Sequence, residues 1–195
     1  MWRVLGAVRD WLFTLPFLIG FGVTLLVFDP IARVARLFGL EPFERVMSLV
    51  QRTLVRLLRI SGTRVSVETP PGFDLTAPYV VVSNHQGIFD IPLIGAVFSA
   101  THAKYVAKKS LGKWLPSVSL NLRWGGNALI DRSDGIGAVR EIARMAKTAQ
   151  QRGRSVVIFP EGTRSRDGVL GCEGNEVAGF VVFSQLLLKS YFRLG

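Results

Sequence analysis

The sequence has one cysteine, two histidines and few charged residues. Because Cys172 is the only thiol, an intrachain disulfide is excluded, and no zinc site can be built from Cys and His ligands. Charged residues make up 19% of the 195 residues, and 24 Lys and Arg outnumber 14 Asp and Glu, for a net charge of +10. Hydrophobic residues make up 49%, which excludes a disordered chain. A basic, apolar chain favours an anionic membrane surface over nucleic acid as its partner, and no nucleic-acid-binding motif is present.

A long uncharged run lies near the N-terminus. Residues 11–28 contain no charged residue, and as a helix they would span about 27 Å, just short of a hydrocarbon core of about 30 Å. No small-x-small cleavage site follows, so we expect no removed signal peptide. The run is compatible with a spanning anchor, a half-inserted interfacial helix or a buried core helix. Asp29-Pro30 is expected to stop it.

A second helical pattern covers about residues 31–60, interrupted at Glu41-Pro42. Its apolar residues recur at helical spacing, and arginines recur on the other side. The apolar positions are Phe43, Val46, Met47, Val50, Leu54, Leu57 and Leu58, and the basic positions are Arg45, Arg52, Arg56 and Arg59. This pattern fits an interfacial membrane helix, and it equally fits a core helix with a solvated basic face.

From Gly62 onward short apolar runs alternate with helical patterns. This alternation predicts an α/β fold, with a mixed sheet flanked by helices, preceded by the N-terminal two-helix element. We expect three regions: membrane-associated helices at 1–61, a catalytic domain at 62–170 and an atypical tail at 171–195. The predicted strands are 64–68, 79–83, 103–107, 127–130 and 155–159, and the predicted helices are 89–98, with Asn84 as a cap ahead of it, and 136–151.

His85 and Asp90 follow one of the clearest strands. If His85 lies in the turn before the helix and Asp90 in its first turn, the two side chains converge. The carboxylate would then fix the imidazole tautomer and stabilise the imidazolium, leaving the other nitrogen free to take a proton. No Ser or Cys lies at a recognisable nucleophile turn, so the substrate is expected to bring the hydroxyl. A capping or packing pair is the alternative.

Two further segments carry groups suited to an anion. Phe159-Pro-Glu-Gly-Thr-Arg-Ser165 combines a turn glycine, a hydroxyl and a guanidinium directly after a strand. Gly126 to Arg132 is a glycine turn, an apolar stretch and an arginine. Taken alone, each is compatible with an ordinary turn that carries a surface arginine.

Together these residues resemble the glycerolipid acyltransferases, specifically the 1-acyl-sn-glycerol-3-phosphate acyltransferases. The family motif Asn-His-x4-Asp is matched by Asn84, His85 and Asp90, and Phe-Pro-Glu-Gly-Thr-Arg-Ser is matched in full by residues 159–165. The glycine-led stretch ending at Arg132 is similar to a further family motif. The N-terminal helices resemble the two-helix membrane-docking element of bacterial members.

The resemblance implies roles for these residues. His85 would deprotonate the acceptor hydroxyl and Asp90 would orient it. The alkoxide would attack the thioester of acyl-CoA or acyl carrier protein, with no metal and no other cofactor, and lysophosphatidic acid would become phosphatidic acid. Arg132 and Arg164 would bind the phosphate, with Lys108 as a further phosphate partner. Glu161, Gly162 and Thr163 would shape the phosphate pocket.

The resemblance ends near Gly168. The Pro-Ile-x-Pro-Val-like motif is absent, so we expect the C-terminal part of the family fold to be missing or altered, including strands that would flank the strand ending at Phe159. Two alternatives follow: a truncated, inactive relative that only binds membranes, or an acyltransferase for another lysolipid. The expected location is the cytoplasmic face of a bacterial inner membrane.

Overall fold

The computed structural model describes residues 2–83, 85 and 87–160 of the chain. The predicted tail and residues 161–165 therefore lie outside the described residues, as do Asn84 and Gln86. The helices are α1 Trp2–Leu37, α2 Leu40–Leu57, α3 Asp90–Val97, α4 Val118–Trp124 and α5 Gly135–Gln151. The strands are β1 Val80–Val82, β2 Lys104–Lys108, β3 Ala128–Ile130 and β4 Val156–Ile158.

The four strands form one sheet in the order β1-β4-β2-β3. Every pairing among the described strands is parallel, with Val82 opposite Ile158 and Val106 opposite Ala128. The prediction of a mixed sheet is therefore wrong for the described residues, since helices connect the successive strands and return the chain to the same end. The expected position of the missing C-terminal strands beside β4 is wrong, because β4 already lies between β1 and β2. Whether those strands are missing stays a prediction, since it concerns residues outside the described ones.

Alternating strand residues point to helices on opposite faces of the sheet. On one face Val81, Tyr105 and Val157 pack with Ile94 and Phe98, which belong to α3 and its C-cap. On the other face Ala128 and Val156 pack with Met145 and Ala149 of α5. Since both faces are covered, these strands are nearly continuous hydrophobic runs, as expected for a parallel sheet.

Helix α1 continues through the predicted stop at Asp29-Pro30 and ends only at Leu37. Pro30 has no backbone N–H, so the Leu26 carbonyl loses its partner within the helix. The Ser117 hydroxyl donates to the Leu25 carbonyl at 2.8 Å, and the Asp29 carboxylate accepts from the Ser117 backbone N–H and the Arg33 side chain, both at 2.7 Å. These contacts stabilise the helix where the sequence predicted its end.

The two N-terminal helices use their apolar residues differently. Phe43, Met47, Val50 and Leu54 of α2 are buried against α1, as a core helix requires, and the break between the helices lies at Phe38-Gly39. Helix α1 instead exposes most of its apolar side chains, and only 11% of its most apolar 18-residue window is buried. Residues 11–37 are long and apolar enough to cross a membrane by length and composition. The buried-core alternative for this segment is therefore wrong.

Two expectations between the helices and the sheet differ from the structure. Residues 64–68 form no strand, and Val65 alone among them makes a β-bridge in this largely exposed segment. Helix α4 was not predicted. It is only seven residues long, too short to give a clear periodic pattern in the sequence.

Candidate active site

The predicted site residues follow the carboxyl ends of the strands, which parallel pairing brings to one end of the sheet. We call this the carboxyl end of the sheet, and the opposite one its amino end. His85 follows β1, Phe159 follows β4, Lys108 is the last residue of β2 and Arg132 follows β3. Ligands of open α/β sheets bind outside the carboxyl ends of the strands, so this is where a crevice is expected.

His85 and Asp90 form the predicted pair. The imidazole Nδ1 lies 2.8 Å from the Asp90 Oδ2, and the side chains are 18% and 21% exposed. An ionised carboxylate only accepts hydrogen bonds, so this contact assigns the proton to Nδ1 and leaves Nε2 unprotonated in the neutral ring. The geometry is that of a general base held by a carboxylate.

The turn before α3 makes this contact possible. Residues 85–89 precede the helix, which begins at Asp90, so the five-residue separation is not spanned along a helix. The Gly87 backbone N–H donates to Asp90 Oδ2 at 2.9 Å, and the Asp90 N–H donates back to the Gly87 carbonyl at 3.3 Å. The carboxylate is thus held by the backbone of its own turn as well as by the imidazole.

A buried tyrosine anchors the start of α3. The Tyr105 hydroxyl of β2 donates to the Ile91 carbonyl at 3.0 Å, next to Asp90. Burial raises the pKa of Tyr105, so it stays protonated and remains a donor. Nothing in the sequence points to this residue, because a tyrosine in an apolar strand gives no signal of its partner.

Phe159 packs directly on the catalytic candidate. Its ring is stacked on His85 with 4.5 Å between centroids and 28° between planes. Strands β1 and β4 are paired, with Val82 opposite Ile158, and this register brings the residues that follow them together. Phe159 therefore lies beside His85, and a crevice lined by these two segments stays a prediction.

Three phenylalanines join the apolar helix α1 to the turn before Asp90. Phe89, immediately before Asp90, has its ring centroid 5.6 Å from that of Phe17 and 6.0 Å from that of Phe21. We call these residues the phenylalanine cluster. Spacing in the sequence could not reveal it, since it joins segments about seventy residues apart.

The two cationic candidates lie farther along the same end of the sheet. Lys108 is exposed, and Arg132 follows β3, three strand positions from β1, or about 14 Å at about 4.8 Å per strand. Gly126 begins this segment with φ of +79°, a left-handed conformation that favours glycine. Asp131, beside Arg132, accepts from the Ser133 hydroxyl and N–H, and these bonds lower its pKa.

The structure describes only part of the predicted site. Glu161, Gly162, Thr163 and Arg164 lie outside the described residues, so their roles stay predictions, as do those of Arg132 and Lys108. Residue 160 ends the described chain beside β4, the strand adjacent to β1. Within residues 2–83, 85 and 87–160, no group of three or more His, Cys, Asp or Glu side chains is placed to hold a metal ion.

Comparisons with known proteins gave matches to a family model and to several curated proteins. A family model described as Acyltransferase matches residues 35–184, which extends beyond Gly168, where the motif resemblance ends. The altered C-terminal part therefore stays a prediction, as do the three predicted regions. No solved structure matches the chain.

Curated relatives of the chain include animal and bacterial proteins. It is 33% identical over 122 residues to 1-acyl-sn-glycerol-3-phosphate acyltransferase alpha of Ovis aries, covering 63% of this chain and 42% of that protein. It is 37% identical over 108 residues to 1-acyl-sn-glycerol-3-phosphate acyltransferase of Helicobacter pylori, covering 55% and 44%. The same-named protein of Escherichia coli is 33% identical over 112 residues, covering 57% and 44%. The chain thus spans less than half the length of these relatives.

Proposed function

The chain belongs to the acyltransferase family, and from this we propose that it transfers a fatty acyl group from an acyl thioester to 1-acyl-sn-glycerol-3-phosphate, giving phosphatidic acid. The observation that carries the proposal is the His85–Asp90 contact of 2.8 Å at the carboxyl end of the sheet. The printed names of the relatives supply the acceptor. Either acyl-CoA or acyl carrier protein would present the acyl group.

The proposed reaction uses the free nitrogen of His85. Nε2 takes the proton from the acceptor hydroxyl as its oxygen attacks the thioester carbonyl. The tetrahedral intermediate expels the thiolate, which takes the proton back from the imidazolium, so one C–O bond forms and one C–S bond breaks. Asp90 stabilises the imidazolium between these steps. No acyl group is attached to the protein at any stage.

The phosphate is assigned to the cations at the same end of the sheet. Arg132 and Arg164 would hold its oxygens, Lys108 would add charge, and Glu161, Gly162 and Thr163 would shape the pocket. Residues after β4 start one strand from His85, whereas Arg132 starts three strands away. The order of the strands therefore supports Arg164 as the nearer phosphate ligand and Arg132 as one that reaches inward.

Membrane attachment is part of the proposal. The exposed apolar side chains of α1 support association with a bilayer, where the lysolipid acceptor also lies. The cytoplasmic face of a bacterial membrane is proposed because both acyl donors are cytoplasmic molecules.

The test compares two acceptors in one assay. The full chain, reconstituted in phospholipid vesicles, is supplied with acyl-CoA or acyl carrier protein thioester and with either 1-acylglycerol-3-phosphate or 1-acylglycerol, which lacks the phosphate. We expect phosphatidic acid from the first acceptor and much slower acylation of the second. Equal rates would overturn the phosphate assignment. A folded, vesicle-bound chain with no turnover on either donor would overturn the proposed reaction and favour the inactive, membrane-binding alternative.

A further inference from the structure

A basic cavity lies where α2 ends. The helix is followed by a short 3₁₀ turn, Leu58–Ser61, and the residues around this turn line a cavity of about 550 Å³. The described lining residues are Arg59, Gly62, Thr63, Arg64 and Val65. Two of them are arginines and none is acidic. Cavities of about 300–1,000 Å³ typically hold small-molecule ligands. We call the space lined by these residues the arginine cavity.

The turn brings the two arginines to the same cavity. Five positions along a regular helix would separate their side chains by about 140°. Gly62 instead ends the turn with φ of 78°, a left-handed conformation that favours glycine. The Gly62 N–H donates to the Arg59 carbonyl and the Thr63 N–H to the Leu58 carbonyl, both at 3.1 Å. These bonds reverse the chain, so that Arg64 lines the cavity together with Arg59.

Both arginines of the cavity are left unpaired by the described residues. Arg59 and Arg64 form no ion pair and no side-chain hydrogen bond with residues 2–83, 85 or 87–160. Other exposed arginines pair with a carboxylate on their own helix, as do Arg33, Arg45 and Arg144. Basic side chains near a helix C-terminus often bond to its last carbonyls, but here the Leu58 carbonyl already accepts from the Thr63 N–H and the Ser61 hydroxyl. The two guanidinium groups therefore remain available to an anion, which would also relieve their mutual repulsion.

The cavity lies on the α1 side of the turn before Asp90. Helices α1 and α2 run antiparallel, and Leu57 packs directly on Gly20. The 3₁₀ turn therefore continues along the part of α1 that precedes Gly20, which includes Phe17. The ring of Phe17 packs on Phe89, immediately before Asp90. The phenylalanine cluster thus lies between the arginine cavity and the His85–Asp90 pair.

Acyl transfer brings two anionic substrates to one imidazole. The acceptor phosphate is assigned above to Arg132, Arg164 and Lys108, so the phosphates of the donor need other cations. CoA carries a pyrophosphate and a further phosphate on its ribose, whereas the arm of acyl carrier protein carries a single phosphodiester. The pantetheine arm separates these groups from the thioester, so their site is expected at a distance from His85. Guanidinium groups suit phosphate oxygens, because they donate two parallel hydrogen bonds.

We propose that the arginine cavity binds the phosphates of the CoA part of an acyl-CoA donor. The proposal rests on the proposed function for the use of a thioester donor, and it adds which donor the chain takes and where that donor is held. Small-molecule sites are concave, so a cavity fits a nucleotide better than it fits the surface of a carrier protein.

The first test measures binding without turnover. The full chain in phosphatidylcholine vesicles is titrated by calorimetry with CoA and with pantetheine, which lacks the phosphates. Arg59→Gln with Arg64→Gln removes both charges of the cavity. Arg140→Gln with Lys147→Gln is the matched control, since it removes the same charge from the exposed surface of α5. All four side chains are exposed, so these replacements should not affect folding, which circular dichroism checks.

We expect CoA to bind about tenfold more weakly to the cavity variant and equally well to the control and the unmodified chain. Pantetheine should bind weakly and equally to all three. An unchanged CoA affinity in the cavity variant would overturn the proposal. An equal loss in the control would also overturn it, because the effect would then come from net charge alone.

Turnover distinguishes the possible sources of the phosphate. In the cavity variant we expect KM for acyl-CoA to rise by about tenfold with kcat unchanged, as for loss of binding energy common to the ground and transition states. A rise confined to KM for 1-acylglycerol-3-phosphate would overturn the proposal in favour of the acceptor. A rise confined to acyl carrier protein thioester would overturn it in favour of the carrier protein. Weaker flotation with phosphatidylglycerol vesicles alone would overturn it in favour of lipid headgroups. CoA binding that depends on the two arginines, without turnover on either donor, would support the cavity and overturn the proposed function.

Discussion

The two ends of the sheet each hold one of the two histidines of the chain, in different surroundings. At the carboxyl end, His85 contacts a single carboxylate and keeps one ring nitrogen free of described protein partners. At the amino end, His102 Nδ1 lies 2.9 Å from the Ser48 hydroxyl, beside Glu44, which binds both Lys104 and Arg154. Glu44 is only 3% exposed.

A histidine that lies near a hydroxyl or an acid is therefore not by itself a sign of a catalytic site. At the amino end Glu44 forms ion pairs with Lys104 and Arg154, and these pairs join α2 to β2 and to the segment that leads into β4. At the carboxyl end the carboxylate of Asp90 fixes the orientation of the His85 imidazole. We therefore expect substitutions at the carboxyl end to change turnover and those at the amino end to change stability.

The largest expected effect is on turnover. His85→Gln removes the proposed general base, and we expect acyl transfer to fall by about 10³-fold, within the range for loss of acid–base catalysis. His102→Gln is the matched control and should retain most of its activity. Initial rates of phosphatidic acid formation measure both. A comparable loss in the two variants would contradict a catalytic role specific to His85.

The next effect is on stability. Glu44→Ala leaves the buried Lys104 and the partly buried Arg154 without their carboxylate, and we expect a loss of about 3–5 kcal/mol in the free energy of unfolding. Glu41→Ala is the control, because Glu41 pairs with Arg45 on the surface at 3.0 Å and such pairs contribute about 0–1 kcal/mol. Urea unfolding followed by circular dichroism measures both. Similar losses in the two variants would show that the amino-end network contributes no more to stability than a surface ion pair.

A smaller effect is expected at the carboxyl end, where the phenylalanine cluster joins α1 to the turn before Asp90. Phe89→Ala removes the ring that packs on Phe17 and Phe21, so the turn before Asp90 loses its support. We expect kcat to fall by about tenfold, since small displacements of a catalytic group cost one to two orders of magnitude. Phe73→Ala, which removes a ring stacked on Tyr79, is the control. An unchanged kcat in Phe89→Ala would show that the contact with α1 does not help to position the turn before Asp90.

The smallest effect is a pH dependence of stability. Burial lowers the pKa of His102 below its ordinary value of 6.5, so the unfolded chain binds a proton more readily than the folded one. This contribution to stability is present above pH 6.5 and decreases as the pH falls below it. In His102→Gln the unfolding free energy should decrease less between neutral and mildly acidic pH, which urea titrations at several pH values measure. A steeper decrease in the variant would contradict the assignment.

The sequence predicted most of the sheet and the central pair. Short β-branched runs such as Tyr79–Ser83 and 155–159 are strong local signals, and they became β1 and β4. The His85–Asp90 contact was predictable because both residues lie within one turn. The order of the strands was not, since pairing depends on how the connecting helices pack and leaves no trace in local composition.

Long-range contacts account for the errors as well. Helix α1 continues past Pro30, where the N–H of Ser117 bonds to the carboxylate of Asp29, 88 residues earlier in the chain. The Tyr105 bond to Ile91 and the stacking of Phe159 on His85 also join distant segments. Each residue type is ordinary in its own segment, so only the fold reveals its role.

The position of β4 affects the order in which this protein can assemble during synthesis. Among the described strands, β1 pairs only with β4, and β4 also provides a partner for β2. When β1, β2 and β3 have been synthesised, the place of β4 between β1 and β2 is still empty. The turn bearing His85 can therefore take its final position only after β4 has been made. Such late, distant pairing slows folding, so nascent chains stalled before residue 156 should be especially sensitive to proteases.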